Sequence, residues 1–568
     1  MLWKFRSESV PPTPGDLSDW AQRLEISPLL ARLLWQRGLQ DFEAMRVFLN
    51  PSLRMLSPLD AWPGLTGAAS VIADALARGE KLCVWGDYDV DGITSTALVL
   101  DVLARHGIEA SCHIPDRLAE GYGLNVEGVT RLAREGVGLL LTVDCGIADI
   151  EAVAHAKRLG MTVVVSDHHL PAEALPAADA IVNPRLHNCP CPSLAGVGVA
   201  FLLMAAVNAL LAERGGRKAD MRDVLDLVAL GTLADVVDLN GQNRVLVKNG
   251  LLKIAEAARV GLAALKSACN FSPVAALGAG QVVFTLAPRI NAAGRLGSSR
   301  AALELLLTKD RRRAAELAAE LSRLNAERRD EEDRILAAAR EQADTQAAAG
   351  RMGLVLHSPD WHPGVIGIVA SRVVEALHRP CVVLSLVDNF LKGSGRSVPG
   401  FDLHEAFTSC ADLFIGFGGH KMAAGLSLQP DNLGSFSARF DALVRTGLGA
   451  TPAPAECKID ADLTFPQADF HLLKELEMLQ PFGMGNAEPV FASPPVKVRG
   501  MRGRPGFMLL ELEDEESGLM LTAKAWRQLA DMPQSLKGRR IRIAFTPRID
   551  RYNGAATIEL RMKDWQEV

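Results

Sequence analysis

The sequence predicts an α/β protein: a doubly wound parallel sheet, then a second α/β unit joined to it by a long helix, then a C-terminal β-barrel of oligonucleotide-binding type. Three observations predict this. Between about Leu65 and Leu265, short β-branched runs alternate with amphipathic helical segments, as in parallel sheets covered on both faces. From Thr308 to about Ala348 the chain is one helical run, rich in Arg and Glu with Ala and Leu at helical spacing. After the linker Pro452-Ala453-Pro454, short strand-like segments separated by Gly turns suit a small barrel.

Taken in order, residues 1–50 read as a helical, Pro-punctuated lead-in. The first α/β unit, 51–307, is expected to carry strands Lys81–Trp85, Ala110–Ile114, Gly138–Val143, Thr162–Ser166 and Ala180–Val182. Helices such as Thr94–His106 and Asp149–Leu159 separate them. Residues 308–349 form the connecting helix, read as solvated and laced with local charge pairs. The second unit, 350–450, holds strands Gly353–Leu356, Cys381–Ser385 and Gly425–Leu428. The barrel, 456–568, holds Val496–Arg499, Phe507–Glu513, Leu519–Ala525, Arg539–Thr546 and Thr557–Lys563.

Bulk properties narrow the class. At 568 residues the chain is too long for one core, and 48% apolar residues exclude a disordered chain. A net charge of −6 excludes a globally basic nucleic-acid binder but leaves room for a locally basic groove. Nine cysteines without framework spacing point to a reducing, cytoplasmic setting. The start, Met1-Leu2-Trp3-Lys4-Phe5-Arg6, lacks the apolar core of a secretory signal. Ala195–Ala212 is long and uncharged enough to span a membrane, but its Ala, Gly and Asn208 read better as a buried helix. His187-Asn188-Cys189-Pro190-Cys191 lacks a second ligand cluster and reads as a surface loop rather than a zinc site.

The chemistry lies at strand ends, where parallel sheets gather ligands. Asp87, Asp89 and Asp91 alternate after the first strand, Asp144 follows the third, and Asp167-His168-His169 follow the fourth. One helix cap explains one Asp, not three; crowded carboxylates repel unless cations neutralise them. Imidazole with several carboxylates suits Mn²⁺, and the carboxylates alone suit Mg²⁺. Asp235, after the apolar Leu230–Ala234 stretch, is a further candidate ligand. A pair of such ions performs in-line hydrolysis of a phosphoester or phosphoanhydride. Phosphate-gripping groups are expected on Gly-containing loops: Arg289, Asn291 and Arg295; Gly393–Ser397 with Arg396; and Gly416–Lys421 with His420. Ser371 and Arg372 sit on a helix after His362–Gly367.

In order, Asp87-Tyr88-Asp89-Val90-Asp91-Gly92, Val143-Asp144-Cys145-Gly146, Asp167-His168-His169 and Ala234-Asp235 resemble the DHH phosphoesterase superfamily. Adding Arg289–Arg295, Gly418-Gly419-His420-Lys421 and Pro481-Phe482-Gly483-Met484-Gly485-Asn486, the chain resembles its bacterial single-strand-specific 5′→3′ exonucleases. That resemblance implies a catalytic DHH domain, a DHH-associated domain and an oligonucleotide-binding fold. It implies that Asp89, Asp91, Asp144, His168 and Asp235 ligate two Mn²⁺ or Mg²⁺ ions, with Asp87 or Asp167 supporting or joining them. His169 would face the scissile phosphate, and Arg289, Asn291, Arg295, Ser371, Arg396 and His420 would hold the DNA. It implies single-stranded DNA as substrate, 5′-mononucleotides as products, a role in DNA repair and recombination, and a monomer without membrane attachment. Single-strand-binding protein, helicase and mismatch-repair proteins are the partners the family implies. Two positions depart from the pattern: Trp85 stands where many members carry a ligand His, making Asp87 its expected substitute, and Asp238 replaces a usual Pro. Two other readings keep or erode the site: a phosphoesterase for short oligonucleotides or cyclic dinucleotides, and a non-catalytic single-strand-binding scaffold.

Overall fold

The computed structural model describes residues 1–568 except 7–13, 118, 527–531, 534 and 551–555. Strand β1 (Leu2–Phe5) and helices α1 (Pro14–Leu24), α2 (Pro28–Trp35) and α3 (Phe42–Leu49) open the chain. They are more than a lead-in: Leu30, Leu33, Leu34, Met45 and Phe48 share one apolar core with the C-terminal barrel.

The first α/β unit runs through α4 (Leu65–Ala77), β2 (Lys81–Trp85), α5 (Val90–Arg105), β3 (Ser111–His113), α6 (Val126–Arg134), β4 (Val137–Val143), α7 (Ile150–Arg158), β5 (Thr162–Ser166) and β6 (Ala180–Val182). The strands form an all-parallel sheet of order β3-β2-β4-β5-β6. Side chains alternate across it, so each strand feeds two cores. Val84, Leu139, Leu141 and Val164 pack under α4 and α5, whereas Cys83, Trp85, Leu140, Val163 and Val165 pack under α6 and α7.

A helical layer completes this unit: α8 (Gly196–Glu213), α9 (Leu225–Ala234), α10 (Gly241–Glu256), α11 (Val260–Ala268), the single turn α12 (Ala279–Gln281), α13 (Ala287–Leu296) and α14 (Ser299–Leu307). Helix α8 is the one described helix long and apolar enough to cross a membrane; it packs inside the core against α4, α5 and α9.

Helix α15 (Arg311–Ala348) joins the units. It is not solvated all round. Ala314, Leu317, Leu321 and Leu324 enter the first core, and Ile335, Ala339 and Ala343 enter the second. The second unit comprises β7 (Leu354–Ser358), α16 (Ile366–Leu377), β8 (Cys381–Val387), β9 (Phe390–Arg396), α17 (Leu403–Thr408), β10 (Phe414–Gly419), β11 (Ala423–Leu428) and α18 (Leu433–Leu448). Its sheet is mixed, in the order β10-β11-β9-β8-β7.

Strand β12 (Glu456–Ile459) pairs in parallel with β1. Then come β13 (Ala461–Asp462), α19 (Phe470–Met478), β14 (Phe491–Ala492), β15 (Val496–Arg504), β16 (Phe507–Glu513), β17 (Met520–Trp526), β18 (Arg540–Asp550) and β19 (Thr557–Glu567). Pairing of β19 with both β17 and β18 closes these strands into a barrel.

Candidate metal centre and cationic cleft

The carboxyl ends of β2, β4 and β5 meet the N-termini of α5 and α8 and the C-terminus of α9. Asp89 caps α5, its Oδ1 accepting the N–H groups of Asp91 and Gly92 at 2.8 and 3.1 Å. Asp91, in the first turn of α5, is buried and accepts Gly196 and Val197 N–H at 2.8 and 2.9 Å from the N-terminus of α8. Asp144 leaves β4 with φ +62°, a left-handed conformation uncommon for non-glycine residues. A side chain on Gly196 would collide with its Oδ1, so only glycine lets α8 approach here. Asp235 caps the buried helix α9, and Val236 after it is a β-branched residue at φ +63°.

These turns converge five carboxylates and one imidazole. His168 Nε2 lies 3.1 Å from Asp144 Oδ1, 3.6 Å from Asp235 Oδ2 and 3.9 Å from Asp91 Oδ2. Asp87, Asp89 and Asp144 form one group of ligand atoms within 4.8 Å of one another, and Asp91, His168 and Asp235 form a second. A third comprises Asp144, His168 and His169. Asp87 Oδ1, Asp144 Oδ1, Asp235 Oδ2 and both ring nitrogens of His168 are buried without a hydrogen-bond partner. Buried polar atoms are rarely orphaned. Atoms of lone-pair type aimed at one another fit a cation between them.

Asp167 was expected among the ligands, but its oxygens are committed elsewhere. Oδ2 accepts Ile147 N–H at 3.0 Å; Oδ1 faces the backbone N–H groups of His168 and His169 at 2.7 and 3.1 Å and His169 Nδ1 at 2.8 Å. It therefore orients His169 and shapes the turn. Trp85 is fully buried in the core under α6, its ring 4.2 Å from that of His113, so position 85 offers nothing to the cluster and Asp87 does. The side chain of Asp238 is exposed.

The electrostatics follow from this crowding. Burial, reinforced by Asp89, pushes the Asp91 carboxyl up to about 7 despite its two N–H donors. Burial and then the charges of Asp91 and Asp89 push Asp235 up to about 9. Burial and neighbouring carboxylates hold Asp87 and Asp144 well above the ordinary range. Burial and then the charge of His169 bring His168 down to about 3, leaving the neutral imidazole that ligates metals. For His169, burial lowers the affinity for protons, but the Asp167 hydrogen bond and charge outweigh it, so the value rises.

Both units supply cations to the cleft, Arg117 and Arg295 from the first and Arg396 and His420 from the second. Arg295 donates to Gly364 O at 2.8 Å; burial and then the neighbouring Arg117, Arg328 and Arg396 lower its pKa to about 10. Arg396 donates to Ser394 Oγ at 3.0 Å and feels Arg117 as well. His420 is exposed on the turn after β10, within electrostatic range of His169 and Arg185. Of the expected grip, Arg295, Arg396 and His420 are thus brought to the cleft. Arg289 is not: it donates to Thr285 O at 2.6 Å and Ser322 Oγ at 3.1 Å. Arg372 is drawn to Glu332 and Glu375, and the Ser371 hydroxyl bonds back to Gly367 O. Asn291 sits half-buried on α13.

The three segments expected as phosphate loops lie largely in regular elements, residues 416–419 of the last in strand β10. Residues 289–295 lie in α13, where Gly294 lets the helix approach Tyr88 O. Residues 393–396 lie in central strand β9, and side chains there would strike Leu384 or Leu403, so those glycines serve packing. Sequence reasoning missed Arg117 and Tyr122. Arg117 follows β3 and lies 5.0 Å over the Tyr88 ring. Tyr122 Oη lies 3.0 Å from His169 Nδ1 and donates to Asp144 O at 3.2 Å. The strand-end position of Arg117 was the available signal.

The fold and site together define a DHH-type phosphoesterase. Residues 81–232 match the DHH family N-terminal domain, 344–446 the DHHA1 domain and 459–564 the RecJ OB domain. The single-stranded-DNA-specific exonuclease RecJ of Dickeya dadantii is 42% identical over 82% of this chain and 83% of that protein. The Haemophilus influenzae protein of the same name is 35% identical over 94% and 95%. A crystal structure of RecJ in complex with Mn²⁺ from Thermus thermophilus superposes with a TM-score of 0.84 at 33% identity, covering 100% of this chain and 80% of that one. The chain belongs to the RecJ family.

Proposed function

We propose that this protein is a metal-dependent exonuclease that degrades single-stranded DNA from its 5′ end and releases 5′-mononucleotides. In this reading residues 51–307 form the catalytic domain and 308–349 its connector. Residues 350–450 form the substrate-binding domain and 456–568 the strand-binding barrel. The observation that carries it is the convergence of unpartnered Asp87, Asp144, Asp235 and His168 atoms in one buried pocket. Asp89, Asp91, Asp144, His168 and Asp235 would hold two Mn²⁺ or Mg²⁺ ions, with Asp87 in place of the absent histidine. Asp144 and His168 are each common to two of the ligand groups, and Asp144, the carboxylate of the pair, would be the ligand shared between the ions. Two divalent cations would offset four of the five charges that the ionised carboxylates carry, in place of the protons that the metal-free cluster retains. When bound, they supply an activated water and charge stabilisation at the phosphoryl oxygens.

The chain's own groups do the rest. His169, held by Asp167 and beside Tyr122, presents toward the cleft an imidazole whose affinity for protons the Asp167 carboxylate raises. Arg117, Arg295 and Arg396 form a forked cationic pocket suited to a terminal phosphate. On the barrel, the Phe507 and Trp526 rings lie 5.2 Å apart, tilted by 45° and flanked by Lys524 and Arg561, a platform for bases and phosphates. Relatives named for this activity support the reading. End-labelled single- and double-stranded DNA and RNA, with Mn²⁺ or with chelator, test it. Mononucleotides should appear only from single-stranded DNA with metal; release unaffected by chelator, or none from single strands, overturns it.

A further inference from the structure

Strand binding leaves the Pro481–Asn486 turn unexplained. It sits at the seam between the barrel and the catalytic unit. Asn486 braces it, donating from Nδ2 to Leu479 O and Pro481 O, each at 2.8 Å, while its Oδ1 accepts Arg37 Nε at 3.0 Å. The turn then grips the loop that follows Asp235. Leu239 N–H donates to Met484 O at 2.9 Å and Asn240 Nδ2 to Gly485 O at 3.3 Å. Gly485 has φ +69°, and a Cβ there would lie 2.8 Å from Asn240 Nδ2 and 2.9 Å from Asp238 Oδ1.

The contact continues inward through Asn243, which is fully buried in the first turn of α10. Its Nδ2 donates to Asp238 O at 3.0 Å and to Ser193 O at 2.6 Å, and its Oδ1 accepts Ala195 N–H at 3.4 Å. Ala195 caps α8, whose next two N–H groups hold Asp91. The adjacent Arg244 faces the other way. Its buried guanidinium stacks 3.6 Å from the Phe48 ring centroid and donates to the carbonyls of Phe48, Met478, Leu479 and Gln480. Two successive residues of α10 thus tie the barrel side to the carboxylate side. The left-handed Val236 is a strained conformation that persists only where its surroundings over-determine it, and the gripped loop supplies that constraint.

We infer that the Pro481–Asn486 turn and Asn243 are positioning elements of the metal centre: the docked barrel sets the placement of Asp235 and Asp91. This rests on the metal-ion reading above. Groups behind first ligands commonly tune metal affinity about 10–100-fold.

Calorimetric Mn²⁺ titration of the full chain without DNA tests it, using Gly485→Ala and Asn243→Ala, with circular dichroism to verify folding. Expected is a loss of Mn²⁺ affinity of about 10-fold, with single-stranded DNA affinity in chelator unchanged and turnover restored by excess Mn²⁺. Unchanged Mn²⁺ affinity overturns the inference, as does a loss seen only together with weakened DNA binding in chelator. Should Asn243→Ala not fold, Gly485→Ala alone decides. Asp235→Asn separates the two levels. If it too leaves Mn²⁺ binding intact, the metal-centre reading fails; if it alone weakens binding, only the positioning inference fails.

Discussion

His168 Nε2 and Asp144 Oδ1 lie 3.1 Å apart, both buried, with no hydrogen bond between them or to any other group. Such a pair is unfavourable in the chain alone, where an unsatisfied buried polar group costs about 1–3 kcal/mol. Asp144→Asn removes one charge from the cluster. It should abolish nuclease activity while leaving the chelator-treated protein as stable as the parent, or more stable by about 1–3 kcal/mol. Denaturant unfolding in chelator measures this; marked destabilisation contradicts the repulsive character assigned to the metal-free cluster.

The pH dependence carries a definite sign. With metal removed, Asp91 at about 7 and Asp235 at about 9 both lie above their unfolded-state values. The folded chain therefore binds more protons than the unfolded one above about pH 4, the ordinary carboxyl value. The stability due to these groups is complete below that pH and is lost as pH rises through about 7 and then about 9. Bound metal displaces those protons, so its affinity increases with pH. Thermal melts across this range, with Mn²⁺ and with chelator, should diverge progressively as pH rises. A gap that narrows toward alkaline pH refutes the assignment.

His169 belongs to a ligand-capable group with Asp144 and His168, but its Nδ1 is engaged by Asp167 at 2.8 Å and Tyr122 at 3.0 Å. In the proposed reading it acts beside the cations. His169→Ala should lower kcat by about 10²–10⁴-fold, the usual span for a positioned acid–base or charge-stabilising group. Mn²⁺ affinity should change by only a few-fold. Single-turnover kinetics alongside Mn²⁺ titration checks both, and a loss of metal equal to the loss of rate would make His169 a ligand instead.

What the sequence revealed depended on locality. Strands Lys81–Trp85, Thr162–Ser166 and Ala180–Val182 were readable to the residue because buried parallel strands are continuous apolar runs. Their Asp and His termini could be read for the same reason. Strands β9 and β10 were hidden by glycines that read as loops; in β9 their packing against Leu384 and Phe407 leaves no local trace, and in β10 Gly416 and Gly418 face open space with no side chain to mark the alternation. Arg289 and Arg295 are equivalent in a linear motif; only the placement of α15 and Gly364 sends one into the connector and the other to the cleft. The burial of Arg244 between units was equally invisible, because its partners are backbone carbonyls far along the chain.

The cationic pocket makes a statement about chain ends. Arg295 and Arg396 share a crowded site with Arg117, and burial with mutual repulsion lowers both pKa values. An incoming dianionic phosphate relieves that repulsion. A charge-assisted hydrogen bond contributes about 1.5–3 kcal/mol, or roughly 10–100-fold. Arg295→Ala or Arg117→Ala should raise KM by that factor on 5′-phosphorylated single strands and by much less on 5′-hydroxyl strands. Equal effects on both ends would move these residues from end recognition to general backbone binding.

The barrel platform acts at a different distance along the strand. Trp526 is 41% exposed although it is a large aromatic residue; it lies tilted against Phe507, with Arg561 over its own ring and Lys524 over that of Phe507. Base stacking on such a ring is worth about 1–3 kcal/mol and does not discriminate sequence. Trp526→Ala should therefore weaken binding of long single strands about 5–100-fold while sparing oligonucleotides too short to reach the barrel. Because Arg561 and Lys524 contribute through phosphates, Arg561→Ala should instead flatten the salt dependence of long-strand binding by roughly one phosphate contact. Fluorescence anisotropy with strands of graded length and at graded salt separates the two effects. Equal losses at every length would place Trp526 in the catalytic cleft rather than on an outlying platform.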